Sequence, residues 1–477
     1  MRRLTFRNIA IGLLLMIQSM AHASTLNDVD IQEQDVGNKP YYVISAMFAG
    51  EVEEPSQTSS PFSVPVSLMI PKQSCNQVAI VDVVNSVLFE FPPTPLGYIT
   101  LNIGQIILGE SFISGRGENS FIYASVIWDK NVVDQTSGTI VKGTDGYSIL
   151  RQFAHFLKTN EVLAMLQLET DCEIKQTIGF GWSQTGKLLA TMLTEELNGS
   201  IENPAFDGLF LGVAGGICRH LINDVFPWRY TSCAKAPNKH VPTVAYNTQS
   251  ETELARGDGK LRNSTSSLSV YEYAGLAHID KQFLPFEVLF GGLGFNFKQN
   301  PISVAPSVRA AFWNLYLKVK NDVPTPKSRT LFSKPDPQTF VSFLDLRGDD
   351  SLLSWSGGQV YITDSNRDGF AEGGIRLPHM PSSKQSPFSS MLGAPLGIYG
   401  GIDYDYAGGP GIFFANGGTF LEYEDETLLM LYPTKQAYVQ RVVLSVWSLI
   451  FERYLLVEDG MMLIEQAEAL QLPIWEP

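Results

Sequence analysis

Runs of apolar, β-branched residues alternate with segments of helical spacing through the first two thirds of the chain. Residues 77–84 and 121–127 are almost continuously apolar, which is typical of strands buried on both faces of a sheet. Residues 147–157 place apolar side chains at helical spacing. Further strands are predicted at 41–45, 63–70, 208–213, 241–246 and 266–273. Buried strands that alternate with helices predict an α/β protein with a mostly parallel central sheet flanked by helices.

The pattern changes from about Asp336. Glycine- and aromatic-rich stretches such as 399–401 and 407–411 predict loops and irregular β structure. The chain then closes with two segments of helical spacing, 438–456 and 461–472. We therefore expect an α/β core over residues 24–330. A loop-rich, β-rich and finally helical extension over residues 331–477 is expected to pack on that core.

The first 23 residues have the pattern of a secretory signal peptide. Three arginines precede the apolar run 9–17, and Ala21-His22-Ala23 is a small-residue cleavage pattern. Neither this run nor a later one reaches the roughly 18 apolar residues of a membrane span. We therefore expect a periplasmic or secreted protein. Removing the three arginines takes the net charge from −15 to −18, and an acidic chain without a basic stripe argues against a nucleic-acid partner.

The strongest chemical signal lies in residues 177–189. A strand-like run ends at a Gly-Trp-Ser sequence, and an apolar helical pattern begins directly after Ser183. This is the layout of a nucleophile elbow, where a sharp strand-to-helix turn exposes a serine hydroxyl. The usual pattern is Gly-x-Ser-x-Gly, whereas here Thr185 takes the second glycine position and the glycine follows at Gly186. The pattern predicts Ser183 as a nucleophile.

A nucleophile at Ser183 requires an acid and then a histidine, both on loops after later strands. His278 follows the last predicted strand of the core, where a general base would reach the serine. The loop after the preceding strand offers Glu251 and Glu253. Glu251 lies closer to the usual offset from the strand, while Glu253 equally suits the start of a helix, where acids are favoured. Glu251 is the preferred acid, and Glu253 remains open.

Stabilising an oxyanion requires backbone N–H donors in this turn. The residue after the nucleophile, Gln184, is expected to supply one of them. The other should come from the loop after strand 77–84, which offers Asn85 or Ser86.

Four segments together resemble a family of large bacterial alpha/beta hydrolase domain proteins. They are residues 181–186, 249–253, 274–278 and 373–378. The resemblance covers nearly the whole mature chain and implies the α/β-hydrolase fold with serine-hydrolase chemistry on esters. The family has no agreed substrate; we expect a small-molecule or polymeric ester as the substrate and no organic cofactor. The chain departs from the family in carrying Glu253 where an aspartate is usual.

Two other functions remain open at this point. The same Ser, acid and His set serves acyl transfer to an alcohol or amine acceptor as well as hydrolysis. A hydrolase fold without catalytic activity would instead act as a binding protein. The complete Ser, acid, His order in the chain favours an enzyme.

Residues 364–372 match the first nine positions of a calcium-binding loop, with Gly369 at position six. The twelfth position is Ile375 instead of the bidentate glutamate, which also leaves an ordinary Asp/Asn/Gly turn open. The candidate metal ligands are Asp364, Asn366, Asp368 and Glu372.

Four cysteines in an exported protein indicate two disulfides. Cys75 and Cys172 precede the third and fifth strands of the hydrolase sheet, which are neighbours in that fold. Cys218 and Cys233 bracket a short loop. We therefore expect Cys75–Cys172 and Cys218–Cys233 pairs.

Overall fold

The structure is a computed structural model that describes part of the chain. The described residues are 24–53, 59–91, 94–115, 120–222, 228–233, 235, 237, 240–254, 259–280, 300–335, 361–363, 370–379, 393–402 and 417–475. The predicted signal peptide lies outside them.

The strands in chain order are β1 (Thr25–Val36), β2 (Lys39–Glu53), β3 (Ser59–Pro71), β4 (Val78–Val83), β5 (Asn85–Phe91), β6 (Thr94–Leu101), β7 (Ile122–Val126), β8 (Thr139–Ile140), β9 (Gln176–Trp182), β10 (Gly208–Gly212), β11 (Ile217–Leu221), β12 (Trp228–Ser232), β13 (Thr243–Thr248), β14 (Leu268–Tyr273), β15 (Ser333–Pro335), β16 (Tyr361–Thr363), β17 (Gly397–Gly400) and β18 (Thr419–Glu422). The helices are α1 (Ile103–Leu108), α2 (Glu110–Ile113), α3 (Lys130–Val133), α4 (Gly146–Lys158), α5 (Glu161–Leu166), α6 (Gln184–Thr194), α7 (Gln249–Leu254), α8 (Ala305–Asn321), α9 (Asp425–Leu431), α10 (Lys435–Phe451) and α11 (Val457–Ala469).

One large sheet organises the described part of the chain. Its strand order is β1-β2-β3-β7-β4-β9-β10-β13-β14, with β8 beside β3. The six strands from β7 to β14 in this order run parallel, whereas β1, β2 and β3 join by antiparallel pairing. The predicted α/β fold with a mostly parallel central sheet is therefore confirmed.

Each face of the sheet is covered by its own set of helices. On one face α1, α8, α10 and α11 share an apolar core that includes Phe180, Phe312 and Val446. On the other face α4 and α6 pack through residues such as Phe153 and Leu188. Coverage on both faces explains why the parallel strands read as continuous apolar runs in the sequence.

Segments from beyond residue 330 join this body at the β14 edge. The Ile375 N–H donates to the Glu272 carbonyl at 2.8 Å, and the Ala274 N–H donates to the Ile375 carbonyl at 3.0 Å. Arg262 forms an ion pair with the Glu272 side chain, which also accepts from the Leu331 N–H at 2.7 Å. The C-terminal residues therefore lie against the strand that leads into His278.

Candidate active site

Ser183 occupies the sharp turn between β9 and α6. Its φ of 53° lies in the left-handed region, where a residue with a side chain is strained. Backbone strain of this kind is concentrated at functional turns. The turn is held by two backbone bonds, from Ser183 N–H to the Gly212 carbonyl at 2.8 Å and from Lys187 N–H to the Ser183 carbonyl at 3.0 Å. The serine side chain is half-buried at the carboxyl edge of the sheet.

Close backbone approach explains the glycines around the turn. A Cβ at Gly181 would lie 2.6 Å from the Thr185 backbone, and one at Gly186 would lie 2.4 Å from the Gly212 carbonyl oxygen. Thr185 fits at the position where the usual pattern has glycine because its hydroxyl accepts from the Trp182 N–H at 2.9 Å. The close contact with Gly212 falls at Gly186, so the glycine stands one residue later than in the usual pattern.

Ser183, His278 and Glu251 form a continuous hydrogen-bonded chain. His278 Nε2 lies 2.8 Å from Ser183 Oγ, and His278 Nδ1 lies 2.5 Å from Glu251 Oε1. The second carboxylate oxygen, Oε2, accepts from the Thr248 N–H at 2.8 Å and from its hydroxyl at 2.6 Å. The serine lies after β9, the glutamate in α7 after β13, and the histidine after β14.

Glu251 is 3 % exposed, so its charge depends on its partners. Burial acts to raise the pKa of the Glu251 carboxyl, but His278 and the bonds from Thr248 outweigh burial and hold this pKa below its ordinary value. Glu251 is therefore ionised at neutral pH and faces the imidazole nitrogen that carries a positive charge when His278 is protonated.

Glu253, the other acid of this loop, contacts different groups. Its Oε1 accepts from Gln249 Nε2 at 2.9 Å and from the Thr363 hydroxyl at 2.7 Å. Gln249 in turn accepts from the Gly275 N–H at 2.9 Å, three residues before the histidine. The geometry therefore brings Glu251 to His278 and places Glu253 behind the loop that carries His278.

The expected oxyanion segment lies beside the turn that carries Ser183. Asn85 Nδ2 donates to the Trp182 carbonyl at 3.0 Å, and the Thr185 N–H donates to Asn85 Oδ1 at 3.3 Å. The Ser86 N–H donates to the side-chain oxygen of Gln184 at 2.9 Å. The segment is thus close to Ser183, as the sequence order predicts.

Several buried polar residues near the turn carry no sequence motif. Asp129 accepts from the Ser86 hydroxyl at 2.8 Å and pairs with Arg219 at 3.4 Å. Lys187, 1 % exposed, lies one helical turn after Ser183, and burial lowers the pKa of its amine to about 8. Two local features of the sequence could have pointed to these residues. Asp129 stands just after a buried strand, and Lys187 is a lysine within an apolar helix.

The cysteines agree with the sequence prediction for one pair only. Cys218 and Cys233 form a disulfide across the β11–β12 hairpin. Cys75 and Cys172 lie at the amino ends of the neighbouring strands β4 and β9 but are free thiols, so the predicted second disulfide is wrong for this structure. The Cys172 thiol donates to the Gln73 carbonyl at 3.3 Å. A hydrogen bond between the two cysteine side chains lowers the pKa of the Cys75 thiol below its ordinary value.

Three residues of the predicted calcium loop, Asp364, Asn366 and Asp368, lie outside the described residues. Glu372 is described, and its backbone carbonyl accepts from the Phe332 N–H at 2.8 Å. Within the described ranges, no group of three or more His, Cys, Asp or Glu side chains has an arrangement that could hold a metal ion.

The family model of the alpha/beta hydrolase domain matches residues 116–465, most of the chain and all three members of the hydrogen-bonded chain. The protein belongs to the alpha/beta hydrolase family. The match crosses from the predicted core into the C-terminal extension. No curated protein matches this alpha/beta hydrolase. Among its described residues, no helix is long and apolar enough to cross a membrane.

Proposed function

We propose that this alpha/beta hydrolase is an exported serine hydrolase that cleaves carboxylic esters through an acyl-enzyme. The observation that carries the proposal is the continuous chain from Ser183 Oγ through His278 to the buried Glu251, which starts at a strained turn. A turn of this kind costs energy, and a histidine aligned by an ionised carboxylate is the arrangement that activates a serine.

The proposed reaction begins when Ser183 Oγ attacks the carbonyl carbon of the ester. His278 Nε2 accepts the hydroxyl proton as the new C–O bond forms, and it then gives this proton to the departing alcohol oxygen. Glu251 holds the imidazole tautomer and stabilises the imidazolium through Nδ1. Water then attacks the acyl-enzyme with His278 again as base, releasing the acid and restoring Ser183.

The developing negative charge on the carbonyl oxygen needs donors near Ser183. The proposed donors are the backbone N–H of Gln184 and that of Asn85, from the two segments on either side of the nucleophile. Export is proposed from the leader pattern, and the Cys218–Cys233 disulfide supports it because disulfides persist in oxidising compartments.

A panel of chromogenic esters of graded acyl length tests the proposal on the wild-type protein and on Ser183→Ala. The variant should lose at least about 10³-fold in kcat, because only oxyanion binding and substrate binding remain. A fluorophosphonate probe should label the wild-type protein at Ser183 and leave the variant unlabelled. Near-normal turnover by Ser183→Ala would overturn the proposal.

A further inference from the structure

We infer that the side chains of Asn85 and Gln184 form a reciprocal clamp that positions the oxyanion-binding backbone. We further infer that the Ser86 N–H belongs to this clamp and not to the substrate. The inference rests on the proposed function, since it concerns the donors of the same acyl-transfer site. It assigns Asn85 and Gln184 as positioning residues through their carboxamides, in addition to any role of their backbone.

The first half of the clamp reaches from the oxyanion segment to the nucleophile turn. Asn85 Nδ2 donates to the carbonyl of Trp182, the residue before the nucleophile, at 3.0 Å. Asn85 Oδ1 accepts from the N–H of Thr185, two residues after the nucleophile, at 3.3 Å. The Asn85 side chain, 4 % exposed, thus hydrogen-bonds the backbone on both sides of Ser183.

The second half of the clamp reaches from Gln184, next to Ser183, back to the oxyanion segment. Gln184 Oε1 accepts from the Ser86 N–H at 2.9 Å, and Gln184 Nε2 donates to the Ser86 hydroxyl at 3.1 Å. The Ser86 hydroxyl donates onward to Asp129 at 2.8 Å. Asp129, 2 % exposed, is fixed by the Asn131 N–H at 3.1 Å and by Arg219 at 3.4 Å. The Gln184 side chain therefore ends in a buried, anchored network.

The Gln184 side chain could have either of two effects on the rate: it could block the Ser86 N–H, or it could hold the two backbone segments in place. An acceptor oxygen on the Ser86 N–H occupies the place that an oxyanion would take at that donor. If the side chain only blocked this donor, its removal would raise the rate. If it holds the two backbone segments at the correct separation, its removal lowers the rate, because misplacement by about 1 Å costs up to about 10²-fold. The anchor through Ser86 to Asp129 favours the second role.

The test uses Gln184→Met, which keeps the length and helix preference of the side chain and removes both hydrogen bonds. We expect kcat for a chromogenic ester to fall about 10- to 100-fold with KM changed less than about threefold, since the loss acts on the transition state. The matched control is Gln176→Met at the other end of β9, where Gln176 Nε2 donates to the Val319 carbonyl at 3.0 Å. It should lower the melting temperature and leave kcat unchanged.

A second variant covers the case in which Gln184→Met does not fold. Ser86→Ala keeps the backbone N–H and removes the link to Asp129, and it should lower kcat about 3- to 10-fold by loosening the same segment. An unchanged or raised kcat in either folded variant overturns the clamp and leaves the proposed function standing. A wild-type protein that neither turns over esters nor reacts with a fluorophosphonate overturns both.

Discussion

At the scale of single residues, two glutamates two positions apart have different partners. Glu251 turns its carboxylate to His278 Nδ1, while Glu253 accepts from Gln249 and Thr363. The difference follows from the helix α7, because residues two apart on a helix face different directions. Only the carboxylate that contacts the imidazole can stabilise its protonated form.

Glu251→Gln should therefore lower kcat about 10³-fold or more, because an amide neither fixes the correct tautomer nor balances the imidazolium charge. Glu253→Gln should cost less than about tenfold, since the amide oxygen can still accept both of its hydrogen bonds. Steady-state kinetics on the two purified variants decides between them. A larger loss at Glu253 would transfer the acid role to that residue.

The sequence could predict the members of this chain but not what holds them. Ser183 and His278 carry local signals, a turn pattern and a position directly after a strand. Ser250 and Asp129 act through contacts with segments distant in sequence, and no spacing rule marks such contacts. Thr248 acts locally, because it bonds Glu251 three residues later at the start of α7. The sequence favoured Glu251 but left Glu253 open, because the choice depends on how α7 is rotated against the loop that carries His278.

At the scale of elements, β4 carries a buried carboxyl that joins it to α1. Asp82 Oδ2 accepts from the Tyr123 hydroxyl at 2.5 Å and from the Gly104 N–H at 2.9 Å. Burial raises the pKa of Asp82 to about 7, although both hydrogen bonds act in the opposite direction. Between about pH 4 and 7 the folded state therefore binds this proton and the unfolded state does not.

The free energy of unfolding should fall as the pH rises through that window, by up to about 4 kcal/mol from Asp82 alone. Asp82→Asn keeps an acceptor oxygen for both bonds and removes the titration, so its stability relative to wild type should increase from pH 5 to pH 8. Urea unfolding of both proteins at the two pH values measures this. A stability difference independent of pH would mean that Asp82 does not titrate in this way.

The β11–β12 hairpin is closed by the Cys218–Cys233 disulfide, which spans 15 residues. Replacing both cysteines by alanine should lower the free energy of unfolding by about 3 kcal/mol in the chain-entropy model. Denaturant unfolding of the oxidised wild type and the double variant checks this, with Cys172→Ser as a control that leaves the hairpin intact. An unchanged stability would show that the hairpin is already fixed by its neighbours.

The sequence predicted the buried strands better than the exposed ones. The strands buried on both faces, such as β4 and β7, were predictable because their apolar runs are nearly continuous. The edge strand β1 was not predicted, because its residues are mostly exposed and its polar sequence lacks alternation. The β5–β6 hairpin was also missed; the expected oxyanion segment opens it, with Asn85 as its first residue.

At the scale of the whole molecule, a segment from the C-terminal third of the chain packs against the loop that carries Glu251. The Ser250 hydroxyl donates to the Gly401 carbonyl at 2.5 Å and accepts from the His278 N–H at 3.0 Å. A Cβ at Gly401 would lie 2.7 Å from the Ser250 backbone nitrogen, so the contact is tight. Asn300 joins the Gly275 and Gly400 carbonyls, at 2.6 and 3.2 Å.

Ser250→Ala should therefore lower kcat about tenfold by releasing the histidine loop, and it should cost about 1–3 kcal/mol of stability through unpaired buried groups. Ser307→Ala is the matched control, because Ser307 is equally buried and bonds Tyr246 and Val304 away from the hydrogen-bonded chain at Ser183. Equal losses of kcat in the two variants at equal loss of melting temperature would reduce the Ser250 contacts to general stability.

The meeting of Ser250 with Gly401 also affects when activity can arise during biosynthesis. A chain made from its amino terminus acquires Ser183, Glu251 and His278 long before the ribosome reaches Gly401. Until then the loop that bears Glu251 lacks one of its neighbours, and we expect His278 to be less well aligned with Ser183. On the proposed function, full activity therefore needs residues well beyond His278. We expect a polypeptide that ends before Gly401 to be a poor hydrolase, although it carries Ser183, Glu251 and His278.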